Sequence, residues 1–123
     1  EIKLSDAYKI LPFENEIVIV EMSGEYIKEI VSFLINEKTP HPFSGLVING
    51  NTVLIQNKPV VPSNKYYIAT NDYLLTGGDN MFFFNKNNKV YKLGYTLRDA
   101  FIDYVKSNSY ISSKIDNRFI KNE

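Results

Sequence analysis

One stretch limits the fold more than any other: EIVIVEM, Glu16 to Met22, followed at once by SGEYIKEIVSFLINE. The first seven residues are rich in β-branched side chains and read as a strand. Side chains alternate along a strand, so Ile17, Ile19 and Glu21 share one face and Val18, Val20 and Met22 the other. Apolar residues on both faces need cover on both, which makes this an interior strand. In the next segment Ile27, Ile30, Val31 and Leu34 recur at helical spacing, the clearest amphipathic helix in the chain. Ser23 stands where an N-cap is needed, and Glu25 where an acid suits the helix dipole.

The rest of the chain fits around this pair. A short helix is expected from Ser5, with Ser5 as N-cap, Leu4, Tyr8 and Leu11 on its inner face, and Pro12 as its end. Thr39-Pro40-His41-Pro42 cannot continue the long helix. GLVINGNTVLIQ is a hairpin signal, two β-branched runs around Asn49-Gly50. A third strand is expected near Tyr66 to Thr70 and a short one in KVYKLG. YTLRDAFIDYVKSN predicts a second helix, capped by Thr96 with Asp99 three residues on. Its apolar face is Leu97, Ala100, Phe101, Tyr104 and Val105. The tail reads as loop, with an edge strand at Arg118 to Ile120. Local hairpins mixed with helical layers point to an α+β fold: one compact domain, a mixed or antiparallel sheet and flanking helices.

Composition narrows the function. With 123 residues, 44% of them hydrophobic, the chain suits one core. Fourteen basic residues balance 14 acidic ones, so no strongly basic face for nucleic acid is expected. Only Arg98 and Arg118 supply the planar fork that best recognises phosphate, and both read as surface or helix-end residues. No cysteine is present, which removes disulfides, thiolate nucleophiles and zinc–thiolate sites together. A single histidine, His41, cannot build a multi-histidine metal site, and it reads as a loop residue between two prolines. No apolar run approaches the ~20 residues that span a bilayer. The chain opens on Glu1 rather than Met, so a processed or cloned edge is expected.

NDYLLTGGDNMFFF, Asn71 to Phe84, poses the functional question. Gly77-Gly78-Asp79-Asn80 lies between two apolar runs. The plain reading is a hairpin turn whose glycines allow positive φ and close backbone approach, Asn80 tolerating the same conformation. The functional reading is a binding loop in which an aromatic ring and a carboxylate face one ligand. Phe82, Phe83 and Phe84, if extended, alternate faces, most of them in the core or toward a partner domain.

Several segments, taken in order, resemble one family. AYKILPFENEIVIVEMSGEYIKEIV, FSGLVI, YYIATNDYLLTGGDN, LRDAFIDYVKSN and NRFI together are similar to the C-terminal domain of the 5′-nucleotidases. The segment from Asn71 to Asn80 corresponds to the family pattern Asn-x-Phe-x-x-x-Gly-Gly-Asp-Gly. The resemblance covers residues 1–123 as one such domain. It places the family's Asn-x-Gly-Gly-x-Arg segment before Glu1, so a domain truncated at its N-terminal edge is expected.

The resemblance implies a division of labour. A separate N-terminal metallophosphoesterase domain, in cis or in trans, holds two divalent metal ions and hydrolyses the nucleotide. This domain holds no metal or other cofactor and is inactive alone. It binds the nucleoside part, with Tyr73 as a base-stacking ring and Asp79 as the acceptor for ribose hydroxyls. Gly77, Gly78 and Asn80 shape the loop. The family's other stacking ring falls on Pro40, which leaves His41 and Phe43 as weaker substitutes. Family members act in nucleotide catabolism, mostly as exported, periplasmic or surface enzymes. Two alternatives stay open: a non-catalytic interaction module that keeps the fold without the site, or the specificity domain of a cyclic-nucleotide phosphodiesterase or UDP-sugar hydrolase.

Overall fold

The computed structural model describes residues 2–108 and 112–121. Its elements run α1 (Leu4–Ile10), β1 (Glu16–Ser23), α2 (Gly24–Asn36), β2 (Leu46–Asn49), β3 (Thr52–Ile55), β4 (Lys58–Pro59), β5 (Lys65–Asn71), α3 (Asp72–Leu75), β6 (Lys89–Thr96), α4 (Leu97–Ser107) and β7 (Phe119–Ile120). Two 3-10 turns, Gly78–Asn80 and Phe82–Lys86, lie between α3 and β6. The fold is α+β, as expected. One sheet is antiparallel with order β5-β1-β6; the other has order β4-β3-β2-β7, and β7 runs parallel to β2.

β1 is interior, as its pattern requires. Val18, Val20 and Met22 are fully buried. On its other face Glu21, only 9% exposed, accepts a hydrogen bond from the Tyr67 hydroxyl at 3.1 Å. α2 lies between two apolar clusters. Tyr26, Ile30 and Phe33 pack with Val20, Met22, Met81, Phe83 and Phe84. Ile27, Val31 and Leu34 pack with Ile48 of the second sheet.

The start of α2 departs from the expectation. Ser23 occupies the N-cap position, but its side chain makes no capping bond. Backbone carbonyls do the work instead: the Gly24 N–H donates to Asn64 at 2.8 Å and the Glu25 N–H to Pro62 at 3.1 Å. The loop 61–64 therefore closes over the helix end, satisfying donors that would otherwise be orphaned. This close approach needs glycine. A Cβ on Gly24 would overlap the Val61 carbonyl oxygen and press on the Tyr66 ring at 3.0 Å.

Turn residues are partly misplaced by the sequence pattern. In the β2–β3 hairpin Asn49 pairs with Thr52, so the two-residue loop is Gly50-Asn51 rather than Asn49-Gly50. Gly50, at φ +60°, takes the first central position, as type II′ geometry asks. A second tight turn, Gln56-Asn57, carries positive φ at both residues and starts β4. β6 is longer than the expected short strand; it runs through an irregularity opposite Ile17, with Gly94 at φ +64°.

α1 begins one residue earlier than expected, with Lys3 as N-cap; the Asp6 carboxylate accepts the Lys3 N–H at 2.8 Å. Ser5 is not the cap. Nor is the inner face Leu4 and Tyr8, which are exposed; Ala7 is the buried residue. The cause is Arg98. This side chain is 7% exposed, not a surface residue as expected. Its Nε and Nη2 donate to the Leu11 and Pro12 carbonyls at 2.8 and 2.9 Å, and its guanidinium lies 4.1 Å from the Tyr8 ring centre. Arginine thereby ties the end of α1 to α4. Around it Leu97 and Tyr104, expected on the apolar face of α4, stay exposed. The Thr96 hydroxyl does cap α4, accepting the Asp99 N–H at 3.0 Å.

The edge strand expected near Arg118 is present as β7. Part of the expected loop before it, 109–111, lies outside the described residues. Arg118 holds β7 in place. Its fork donates to both Asp116 carboxylate oxygens, at 2.8 and 2.7 Å, and Nη1 reaches the Phe43 carbonyl at 2.6 Å. The bonds from Arg118 pull the Asp116 carboxyl from its ordinary 3.8 down to about 2.

The architecture can be tested at three residues. Gly24→Ala should lower unfolding stability by about 2 kcal/mol or more, because backbone cannot yield to the new methyl; Ser23→Ala should change it little. Urea denaturation of both variants decides this, and equal, small losses would contradict it. Arg98→Ala should destabilise by roughly 1.5–3 kcal/mol, and Arg98→Lys should recover little because one ammonium cannot replace the fork. Finally, Asp116 has a lowered folded pKa, so its contribution is present above pH 3.8 and is lost as pH falls toward 2. The Phe119 and Ile120 amide resonances should hold their positions down to about pH 4 and move between about pH 4 and 2.

Candidate functional site

The stretch from Asn71 to Lys86 is a folded loop, not the hairpin its glycines suggest. β5 ends at Asn71, whose Oδ1 accepts the Leu74 N–H at 2.9 Å and caps α3. Thr76 closes this single turn, its N–H and its hydroxyl both donating to the Asp72 carbonyl. Gly77 then takes the left-handed conformation at φ +100°, its N–H donating to Leu74 at 3.1 Å. This is the usual way to stop a helix. Leu74 and Leu75 pack from one side of the loop and Met81, Phe83 and Phe84 from the other, into the same core. The residues between them are held at the surface by apolar anchors at both ends.

The expected conformation of the loop needs one correction. Gly78 does not adopt positive φ; Asp79 and Asn80 do, at +53° and +64°. Asp and Asn tolerate this region better than other non-glycine residues, but a left-handed backbone still stores strain, on the order of 1 kcal/mol. Gly78 is glycine for a different reason. The Tyr73 ring lies against it, with three ring carbons 2.5–2.6 Å from where a Cβ would stand.

The loop brings two expected residues together. Tyr73, 50% exposed, donates its hydroxyl hydrogen to Asp79 Oδ1 at 3.2 Å. Tyr73 sits in α3. The pair offers an accessible aromatic surface beside a carboxylate with a fixed orientation. An ionised carboxylate is an acceptor only, and its second oxygen can receive hydroxyl donors.

The two weaker candidates are used elsewhere. His41 packs against Phe33 at 5.6 Å between ring centres, and Phe33 in turn meets Phe83 edge-on at 5.5 Å. Phe43 packs against Phe119 at 5.6 Å. Phe82 departs from the alternation expected of an extended run. It lies instead in a 3-10 turn and is 62% exposed, while Phe83 and Phe84 are buried. Nothing in three consecutive phenylalanines tells which one is turned out. A mainly apolar cavity of about 520 Å³ lies away from the loop, between α2 and the hairpin strands, lined by Ile27, Val31, Ile35, Val53 and Val60.

The resemblance places its two divalent metals in a separate domain. Among the described residues no three His, Asp or Glu side chains come together as a metal site, and the chain has one histidine and no cysteine. No chemical step is assigned to a metal here.

Comparison with known proteins agrees with the fold. The sequence profile of the 5'-nucleotidase, C-terminal domain, matches residues 1–86, and the chain belongs to that family. It is 26% identical over 130 residues to Protein UshA of Yersinia enterocolitica, across 98% of this chain and 21% of that protein. It is 24% identical over 144 residues to the trifunctional nucleotide phosphoesterase protein YfkN of Bacillus subtilis, across 96% of this chain and 10% of that protein. The chain thus spans a minor part of the curated relatives it matches. The crystal structure of a 5'-nucleotidase precursor from Thermus thermophilus shares the fold with TM-score 0.83 at 21% identity, over 99% of this chain and 28% of that one. So does the NAD nucleotidase of Haemophilus influenzae, with TM-score 0.73 at 21% identity, over 92% and 26%.

The two glycines should fail differently when substituted. Gly78→Ala loses stability through collision with the Tyr73 ring, so adding Tyr73→Ala should restore much of that loss. Gly77→Ala loses stability mainly through its φ of +100° and should gain nothing from Tyr73→Ala. Double-mutant cycles by urea denaturation measure this, and equal coupling in both pairs would contradict the geometry.

Proposed function

We propose that this domain binds the nucleoside part of a nucleotide for a 5′-nucleotidase-type hydrolase. A separate N-terminal metallophosphoesterase domain, in cis or in trans, then supplies two divalent metals and the hydrolysis. The carrying observation is the Tyr73–Asp79 pair, an exposed ring and an oriented carboxylate in one anchored loop. A nucleoside presents the matching groups, a flat base and two adjacent hydroxyls. The base would stack on Tyr73, worth roughly 1–3 kcal/mol. The hydroxyls would donate to Asp79. The names of the relatives, a nucleotide phosphoesterase and an NAD nucleotidase, support a nucleotide as the substrate class. An extracytoplasmic location belongs to the same reading. Among the described residues no helix is long and apolar enough to cross a membrane.

A second reading draws on the same loop. His41 and Phe43 are each packed on another ring, which leaves the Pro40 side without a stacking platform and would suit a domain that has lost its nucleotide site. Nucleotide turnover by the full-length protein would exclude this alternative.

Calorimetric titration of the full-length protein with adenosine and uridine tests the proposal. Asp79→Ala should weaken binding about tenfold or more, the loss expected for hydrogen bonds to a charged acceptor. Tyr73→Phe keeps the ring and should weaken it less than Tyr73→Ala. Unchanged affinity in both Asp79→Ala and Tyr73→Ala would overturn the proposal.

A further inference from the structure

The outer face of the three-stranded sheet has the composition of a buried surface, yet it is left open. Antiparallel partners share a face, so the register puts Ile19 and Glu21 of β1 beside Ala69 and Tyr67 of β5 and beside Tyr91 and Lys89 of β6. An antiparallel sheet can turn one face to water, but that face is then normally polar. Here four of the six residues are apolar or aromatic. Tyr67 is 62% exposed and Tyr91 37%; Ala69 is exposed and Ile19 half-buried. On the opposite face Val18, Val20 and Met22 are fully buried. β1 thus carries apolar side chains on both faces and full cover on one.

Glu21 shows what a cover has to bring. Its buried carboxylate accepts the Tyr67 hydroxyl and, among the described residues, forms no ion pair. Lys89 stands directly opposite it on β6, but the Lys89 Nζ lies over the Tyr91 ring, 4.7 Å from its centre. A purely apolar cover would strip the remaining water from an unpaired carboxylate, which is costly. A cover that carries a cation meets that charge and also finds aromatic rings beside it. We propose that this face is an intramolecular interface of the full-length protein. An apolar segment of the same polypeptide, outside residues 1–123, covers it and places one Arg or Lys on Glu21. The fold occurs within longer chains: this chain matches 28% of the Thermus thermophilus precursor and 26% of the Haemophilus influenzae nucleotidase. Such chains have ample polypeptide to supply the cover in cis. Nucleoside binding at the 71–86 loop plays no part in it.

The test is maleimide labelling of the full-length protein, read by mass spectrometry of the labelled peptide. Ala69→Cys puts a small thiol on the face, and Asn51→Cys, in the exposed β2–β3 turn, is the reference. Ala69→Cys should react at least about tenfold more slowly, because a covered thiol is reached only through local opening. Glu21→Gln keeps the shape and removes the charge, so it should speed labelling at Ala69→Cys; Lys89→Met should not. Equal rates at the two positions would overturn the interface. Protection that is lost on dilution would mean that a second molecule covers the face, and would overturn the intramolecular cover. Protection unaffected by Glu21→Gln, or lost in Lys89→Met, would overturn the cation supplied by the segment.

Discussion

Helix α2 must be apolar on two sides, and the rest of the molecule is arranged around that requirement. One side faces Val20, Met22 and the Phe83–Phe84 pair; the other faces Ile48 and the second sheet. Neither sheet would have cover on this side without it. Burial of such side chains is worth roughly 1.5–3 kcal/mol each, so α2 concentrates much of the stability of both cores. Its position depends in turn on its first residue. Gly24 lets the 61–64 loop close over the helix end and present its carbonyls, which fixes where α2 starts relative to β1 and β5.

The same helix positions the candidate site. Phe33 meets Phe83 edge-on, and Lys86 reaches Glu29 at 2.7 Å while lying over the Tyr26 ring. These contacts hold the far end of the 71–86 loop against α2. β5 and the Asn71 cap hold its near end. Between the two anchors the backbone accepts left-handed φ at Asp79 and Asn80, conformations that a free loop would relax. Strain held by surrounding structure is common where a side chain must be aimed. Here it aims Asp79 at Tyr73.

Sequence pattern reached the parts of this fold that periodicity governs. β1 and α2 were legible because their apolar spacings, about 2 and about 3.6, differ clearly. The Thr96 cap was legible from the acid three residues on, the capping-box spacing, although the equally plausible hydroxyls of Ser5 and Ser23 do not cap their helices. Arg98 was not: a lone charge on a helix normally means solvent, and only the tertiary approach of the Leu11 and Pro12 carbonyls reverses that. The Gln56-Asn57 turn was missed because glutamine carries no turn signature, although the two-residue connection forces positive φ there. In the loop, resemblance to the family singled out Tyr73 and Asp79 as residues facing one ligand, but it gave no sign that they would hydrogen-bond each other. The separate reasons for Gly77 and Gly78 were not legible, since backbone strain and ring packing leave the same letter in a sequence. The turned-out Phe82 could not be read at all, because the 3-10 turn that exposes it depends on which neighbours fill the core.

The central claim is that one anchored loop presents a ring and a carboxylate to a nucleoside. The most direct measurement is a crystal structure of the full-length protein with adenosine bound. The account predicts the base stacked on the Tyr73 ring and both ribose hydroxyls within hydrogen-bonding distance of the Asp79 carboxylate. Adenosine bound at another place on the protein, with Tyr73 and Asp79 untouched, would contradict it.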